Sequence, residues 1–169
     1  MALKVIKELI PYIIIVLVVV LIRTFIITPV SVDGKSMLPN LTSGQILLLK
    51  KFDKSLDRFD VVVIDHDGTR LIKRVIGLPG EHVEYKANKL YINGEYVEET
   101  MISVDTRDFE LKKNLGVDTI PEDYYFVVGD NRSVSHDSRS SDIGLISKKE
   151  IVGTVDFSIF PFNRFGFIK

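Results

Sequence analysis

Cysteine is absent from the 169-residue chain, which excludes disulfides, thiolate metal ligands and a cysteine nucleophile together. A basic excess is missing as well: 22 Lys and Arg stand against 23 Asp and Glu, a formal charge of −1, whereas a nucleic-acid binder carries a clear positive surplus. Histidine is scarce, and His66, His82 and His136 are scattered without the spacing of zinc ligands; no metal or cofactor is implied. There is no internal repeat, no low-complexity tract and, after residue 28, no long helical periodicity. The length suits one modest domain with an appendage.

The appendage is at the N-terminus. Leu9–Ile22 holds no charged residue, but its 14 residues span only about 21 Å as a helix, and a bilayer core of about 30 Å needs roughly 20 residues. Extending from Val5 to Ile27 supplies the length, with Lys7 and Glu8 among the headgroups and Arg23 snorkelling outward. Residues 1–27 are therefore expected to form a single transmembrane anchor. A buried core helix fits less well because no amphipathic stripe is visible, and a cleaved leader because no small-x-small site precedes Pro29. Lys4, Lys7 and the amino terminus put the N-terminus on the cytoplasmic side of a cell membrane, although Arg23 narrows the margin. Residues 28–169 are then extracytoplasmic.

Those residues read as mostly β. Strands are expected over Gln45–Leu49, Val61–Asp65, Arg70–Ile76, His82–Tyr85, Leu90–Ile92, Glu95–Val97, Tyr124–Val128, Glu150–Val155 and Phe157–Phe160, with Asn93-Gly94 as a hairpin turn. Thr100–Glu122 is polar and irregular, a surface excursion. The tail Asp156–Lys169 carries five of the ten phenylalanines. Core packing is the expectation for them, and an apolar surface resting on a membrane the alternative.

Three stretches can carry chemistry. In Gly34-Lys35-Ser36-Met37-Leu38-Pro39 a serine sits between a permissive glycine and a stiffening proline, where a turn exposes its hydroxyl and aims backbone N–H groups at one point. Taken alone it is an ordinary turn. In Leu71-Ile72-Lys73-Arg74-Val75-Ile76 two cations interrupt an aliphatic strand, and alternation sends at least one inward. A lysine desolvated there loses its proton more easily and can take one from a serine hydroxyl. Alternation does not say which cation faces in, and two solvated cations on an edge strand is the plain alternative. The third stretch, Gly129–Arg139, is dense in hydrogen-bonding groups. Asp137 and Arg139 can pair there in bidentate fashion and Ser135 can orient a lysine amine. A Ser-His-Asp triad through His136 and Asp137 is disfavoured, because adjacent loop side chains diverge.

Taken together, the anchor, the turn Asp33–Pro39, the strand Lys73–Gly80 and the loop Gly129–Arg139 resemble bacterial type I signal peptidase in its compact Gram-positive form. The resemblance implies a β-rich catalytic domain with a small inserted β region at about 86–122. It implies a serine endopeptidase with Ser36 as nucleophile and Lys73 as general base. Ser135 would hydrogen-bond the lysine, Asp137 and Arg139 would form a structural pair, and Asp130 and Arg132 would support the loop. The implied substrates are secreted preproteins, cut after small-x-small motifs, with membrane lipid and the translocation channel nearby. Three positions depart from the family pattern. Gly34 stands where some members have a serine that assists the oxyanion hole, Asn40 where threonine is common, and Phe59 where glycine is frequent. A self-cleaving Ser/Lys protease and an inactive homologue that only binds signal peptides are the rival readings.

Overall fold

The computed structural model describes residues 2–25, 27–51, 56–102 and 105–168. A helix, α1, runs over Ala2–Phe25, and every side chain from Glu8 to Leu21 is exposed on it. Among the described residues no helix is long and apolar enough to cross a membrane. The expected span Val5–Ile27 depends in part on Ile26, outside the described residues, and on the side chains of Val5, Ile6 and Lys7, which are not described.

The rest of the chain is mostly β. The strands are β1 (Ile27–Ser31), β2 (Ile46–Lys50), β3 (Val61–His66), β4 (Thr69–Gly77), β5 (Val83–Lys86), β6 (Lys89–Ile92), β7 (Glu95–Val97), β8 (Phe109–Glu110), β9 (Tyr124–Val128), β10 (Ile146–Ser147), β11 (Ile151–Phe160) and β12 (Gly166–Phe167). The large sheet has the order β1-β2-β11-β3-β4-β9-β10, with β12 also on β11, and the small one β7-β6-β5-β8. All described pairings are antiparallel. Three hairpins turn on two residues with positive φ, the geometry that matches strand twist: Asp67-Gly68, Asn93-Gly94 and Ala87-Asn88. The first two carry the glycine that advertises such a turn; the third does not.

Ile76, Val83, Tyr85, Leu90, Phe109, Phe126 and Val128 form one buried cluster drawn from both sheets, so the small sheet packs on the large one through β4 and β9. The irregular excursion is less irregular than its composition implies: Phe109–Glu110 pairs with β5, and a five-residue helix, α2 (Leu111–Leu115), buries Leu111 and ends on Gly116 in the left-handed region. Phe59 also has a positive φ of 76°, which a glycine would adopt without strain.

Two expectations are corrected. Glu150–Val155 and Phe157–Phe160 are one ten-residue strand, in which the register on β2 slips between Val155 and Phe157. The extra residue there, Asp156, is a bulge that interrupts the alternation read from the sequence, and a second slip follows between Ser158 and Phe160. The tail phenylalanines do not pack in the core. Phe162, Phe165 and Phe167 are 82, 61 and 79% exposed, because β12 hangs from the sheet by two residues and nothing described covers it.

At Gly153, β11 passes so close to β2 that an added Cβ would lie 2.0 Å from the Lys50 carbonyl oxygen. Backbone cannot yield as a side-chain tip does. Gly153→Ala is therefore expected to destabilise the fold by about 2 kcal/mol or more, the range of core overpacking, read as a lower urea midpoint at unchanged slope. An unchanged midpoint would refute the close packing described.

Candidate active site

Ser36 is placed by its neighbours. Val32, Met37 and Leu41 are buried, 3, 2 and 1% exposed, and drive the turn into the core on either side of the serine. The Leu41 N–H closes it on the Met37 carbonyl at 2.8 Å. Gly34 enters the turn with φ +88°, a conformation that strains any residue with a Cβ, while the space around it is open. Among the described residues the Ser36 N–H makes no hydrogen bond, so it remains available to an oxyanion.

Lys73 and Arg74 sit in the middle of β4, opposite Val62 and Val61 on β3. The open question of which cation faces inward has an unexpected answer: both are buried, 3 and 1% exposed. An edge strand is ruled out, since β4 lies between β3 and β9. The Arg74 guanidinium donates to both carboxylate oxygens of Asp130, at 2.8 and 2.7 Å, and to the Phe59 carbonyl at 2.8 Å. Lys73 is different. Among the described residues its amine makes no hydrogen bond or ion pair. Burial pushes its pKa below the ordinary lysine value; Asp137 opposes that shift and Arg139 adds to it. Ser36 and Lys73 line the same cleft of about 370 Å³, with Val30, Asp33, Val63 and Ile72 among its walls.

The loop Gly129–Arg139 leaves β9 and folds back on it, the Ser138 N–H donating to Val127 O at 3.1 Å and the Val127 N–H to Ser138 Oγ at 3.1 Å. It also clamps the serine turn. Asn131 donates its backbone N–H to the Ser36 carbonyl at 2.9 Å and its side-chain amide to the Lys35 carbonyl at 3.0 Å. Asp137 is fully buried and takes Arg139 in bidentate fashion at 2.8 and 2.9 Å, with the Gly129 N–H at 3.0 Å. Burial alone would raise the Asp137 carboxyl, but Arg139, the nearby Ser135 hydroxyl and the Gly129 N–H outweigh it and hold the group below the usual carboxylate range. Arg132 bonds Glu99, the Tyr85 hydroxyl, Thr106 and the Gly129 carbonyl, tying the loop to the small sheet. Ser135 Oγ is buried with no partner in hydrogen-bond geometry, yet it lies close enough to Asp137 to favour the ionised carboxylate. The triad alternative fails: His136 is exposed and pairs with Asp142 at 2.6 Å, away from Asp137.

The structure thus brings Ser36 and Lys73 to one cleft and packs Ser135 behind Gly129. Asp137–Arg139 and Arg74–Asp130 lie as buried pairs around it. Arg74, Asn131 and Glu99 were missed as site supports. The doubled cation flagged Arg74 without settling its direction, Asn131 lay inside the loop motif, and Glu99 carried no signal because its partner is 33 residues away.

A model of the family described as signal peptidase, peptidase S26, matches residues 5–160. The chain belongs to this family. Signal peptidase I S of Bacillus subtilis (strain 168) is 40% identical over 153 residues, covering 85% of this chain and 83% of its own. Signal peptidase I of Bacillus licheniformis is 42% identical over 162 residues, covering 90 and 87%. Among solved structures, a signal peptidase I from Enterococcus faecalis V583 aligns with a TM-score of 0.53 at 38% identity, over 59% of this chain and 96% of that one.

Gly129 is where serine turn and loop meet most closely. An added Cβ would fall 2.2 Å from Ser135 Oγ and 2.5 Å from the Ser36 carbonyl oxygen. Gly129→Ala is expected to lower turnover by about 100-fold, the effect of an ångström-scale misplacement, in protein that still shows β circular dichroism. Turnover within a factor of two of the parent enzyme would show that this contact does not set the geometry.

Proposed function

We propose that this protein is a membrane-anchored serine endopeptidase that removes signal peptides from secreted preproteins, with Ser36 as nucleophile and Lys73 as general base. The observation that carries the reading is the pairing, in one cleft, of a turn serine with a buried lysine whose amine is bound to no acid. Lys73, whose neutral form is favoured by burial, takes the Ser36 proton. The alkoxide attacks the scissile carbonyl and the Ser36 N–H stabilises the oxyanion. The lysine then protonates the leaving amine, and a water it activates releases the acyl-enzyme. Ser135, whose buried hydroxyl lies beside Asp137, orients the lysine amine. Asp137 with Arg139, Asp130 with Arg74, and Arg132 with Glu99 hold the loop. The strained φ at position 34 favours a glycine, which leaves the oxyanion to backbone donors.

The anchor belongs to the same proposal. The exposed aliphatic surface of α1 from Leu9 to Leu21 is costly in water, and a bilayer removes that cost. Residues 1–27 then cross a cell membrane once with a cytoplasmic N-terminus. Residues 28–169, including the inserted region at about 86–122, stand outside, next to lipid and to the translocation channel. Anchoring raises the effective concentration of cleft and cut site.

Ser36→Ala and Lys73→Ala are each expected to abolish cleavage of a preprotein with an Ala-x-Ala site in detergent, and full cleavage by either variant would sink the dyad. The sign of the pH dependence follows from Lys73. Its active form is the neutral one and its pKa is lowered, so activity rises with pH, with a midpoint below the ordinary lysine value of about 10.4. A profile that is flat from acid to alkaline pH contradicts a lysine base.

A further inference from the structure

Asn40 has a hydrogen-bonding pattern that the dyad reading does not use. Its side-chain amide nitrogen donates to the Met101 carbonyl at 2.6 Å and to Asp130 Oδ2 at 2.8 Å. Both partners are acceptors, which fixes the orientation of the amide: only the NH₂ group can face them, and each of its two hydrogens has one acceptor. Asp130 is fully buried, and it is the carboxylate that holds Arg74, the residue next to Lys73. Asn40 lies four residues after Ser36, on the far side of the turn. From the turn that carries the serine, a continuous path therefore runs Asn40–Asp130–Arg74 into the strand that carries the lysine.

The other bonds on this turn act on its backbone. Asn131 holds the Lys35 and Ser36 carbonyls, and Arg164 holds those of Pro39 and Asn40 at 3.3 and 3.0 Å. Among the described residues, the Asn40 amide is the one bond from this turn that reaches the carboxylate anchoring the lysine strand. The Met101 carbonyl adds a third element, the segment that follows β7, so one amide ties three parts of the chain to Asp130.

We infer that Asn40 is a positioning residue that sets the separation of Ser36 and Lys73 through Asp130. The inference rests on the dyad reading above. Threonine at this position has one hydroxyl hydrogen and can serve one of the two acceptors; alanine can serve neither. Removing the donor also leaves Asp130 Oδ2 with one fewer partner while buried, so the carboxylate is free to shift with Arg74. The expected signature is a loss of turnover without loss of substrate affinity, graded by the number of donors left.

The test uses full-length protein in detergent and compares the parent with Asn40→Ala, Asn40→Thr and Lys73→Ala, reading kcat, KM and melting temperature. Asn40→Ala is expected to lower kcat about tenfold at a KM within a factor of two, and Asn40→Thr to fall between it and the parent. If kcat of the folded Asn40→Ala enzyme equals that of the parent, whatever happens to its melting temperature, the residue is merely structural and the inference is overturned. If KM rises at constant kcat, Asn40 acts on substrate binding and the inference is again overturned. A fully active Lys73→Ala variant would instead remove the dyad reading on which both rest.

Discussion

The ion pair between Arg74 and Asp130 is the constraint on which the site depends. Both groups are out of water, with side chains 2 and 0% exposed. Taking them there costs several kcal/mol per ion, which mutual attraction offsets only in good geometry with further hydrogen bonds. The fold supplies those bonds, from Asn40 to the carboxylate and from the guanidinium to the Phe59 carbonyl. Losing either partner would strand a buried charge, a loss of about 3–5 kcal/mol. The pair thus fixes β4 against the start of the Gly129–Arg139 loop, and Lys73 is carried into place as the next residue on the strand.

Arg74 and Lys73 show how one environment treats two cations differently. The arginine is buried with a carboxylate that it holds through two hydrogen bonds. The lysine is buried without a bound acid, so its amine is easier to deprotonate. Asp137 is near enough to favour the charged amine, but its own oxygens are engaged by Arg139 and the Gly129 N–H. In the proposed mechanism the second buried pair therefore also protects the chemistry, since a free carboxylate beside Lys73 would hold its proton on. No histidine takes part in this arrangement; His136 is turned outward to Asp142.

Much of this was legible in the residues, for reasons that differ between elements. Strand alternation and the Asn93-Gly94 turn are local signals, and the corresponding hairpins are where expected. The resemblance to signal peptidases was carried by short motifs and agrees with the family to which the chain belongs. What stayed hidden is non-local. Whether Lys73 or Arg74 faced inward depended on Asp130, 56 residues beyond Arg74, and alternation alone cannot express a strand buried on both sides. The Asp156 bulge made one strand look like two. The tail phenylalanines look like core by composition, yet only burial decides their place: Phe157 is half-buried and the other four are exposed.

In the proposed mechanism burial makes the Lys73 amine easier to deprotonate than an ordinary lysine, and its own titration tests this most directly. Lysine-selective isotope labelling, with Lys73→Arg to assign the resonance, gives the amine pKa by NMR in the full chain in detergent. A midpoint clearly below the ordinary lysine value of about 10.4 is expected. A Lys73 that titrates at or above that value would contradict it.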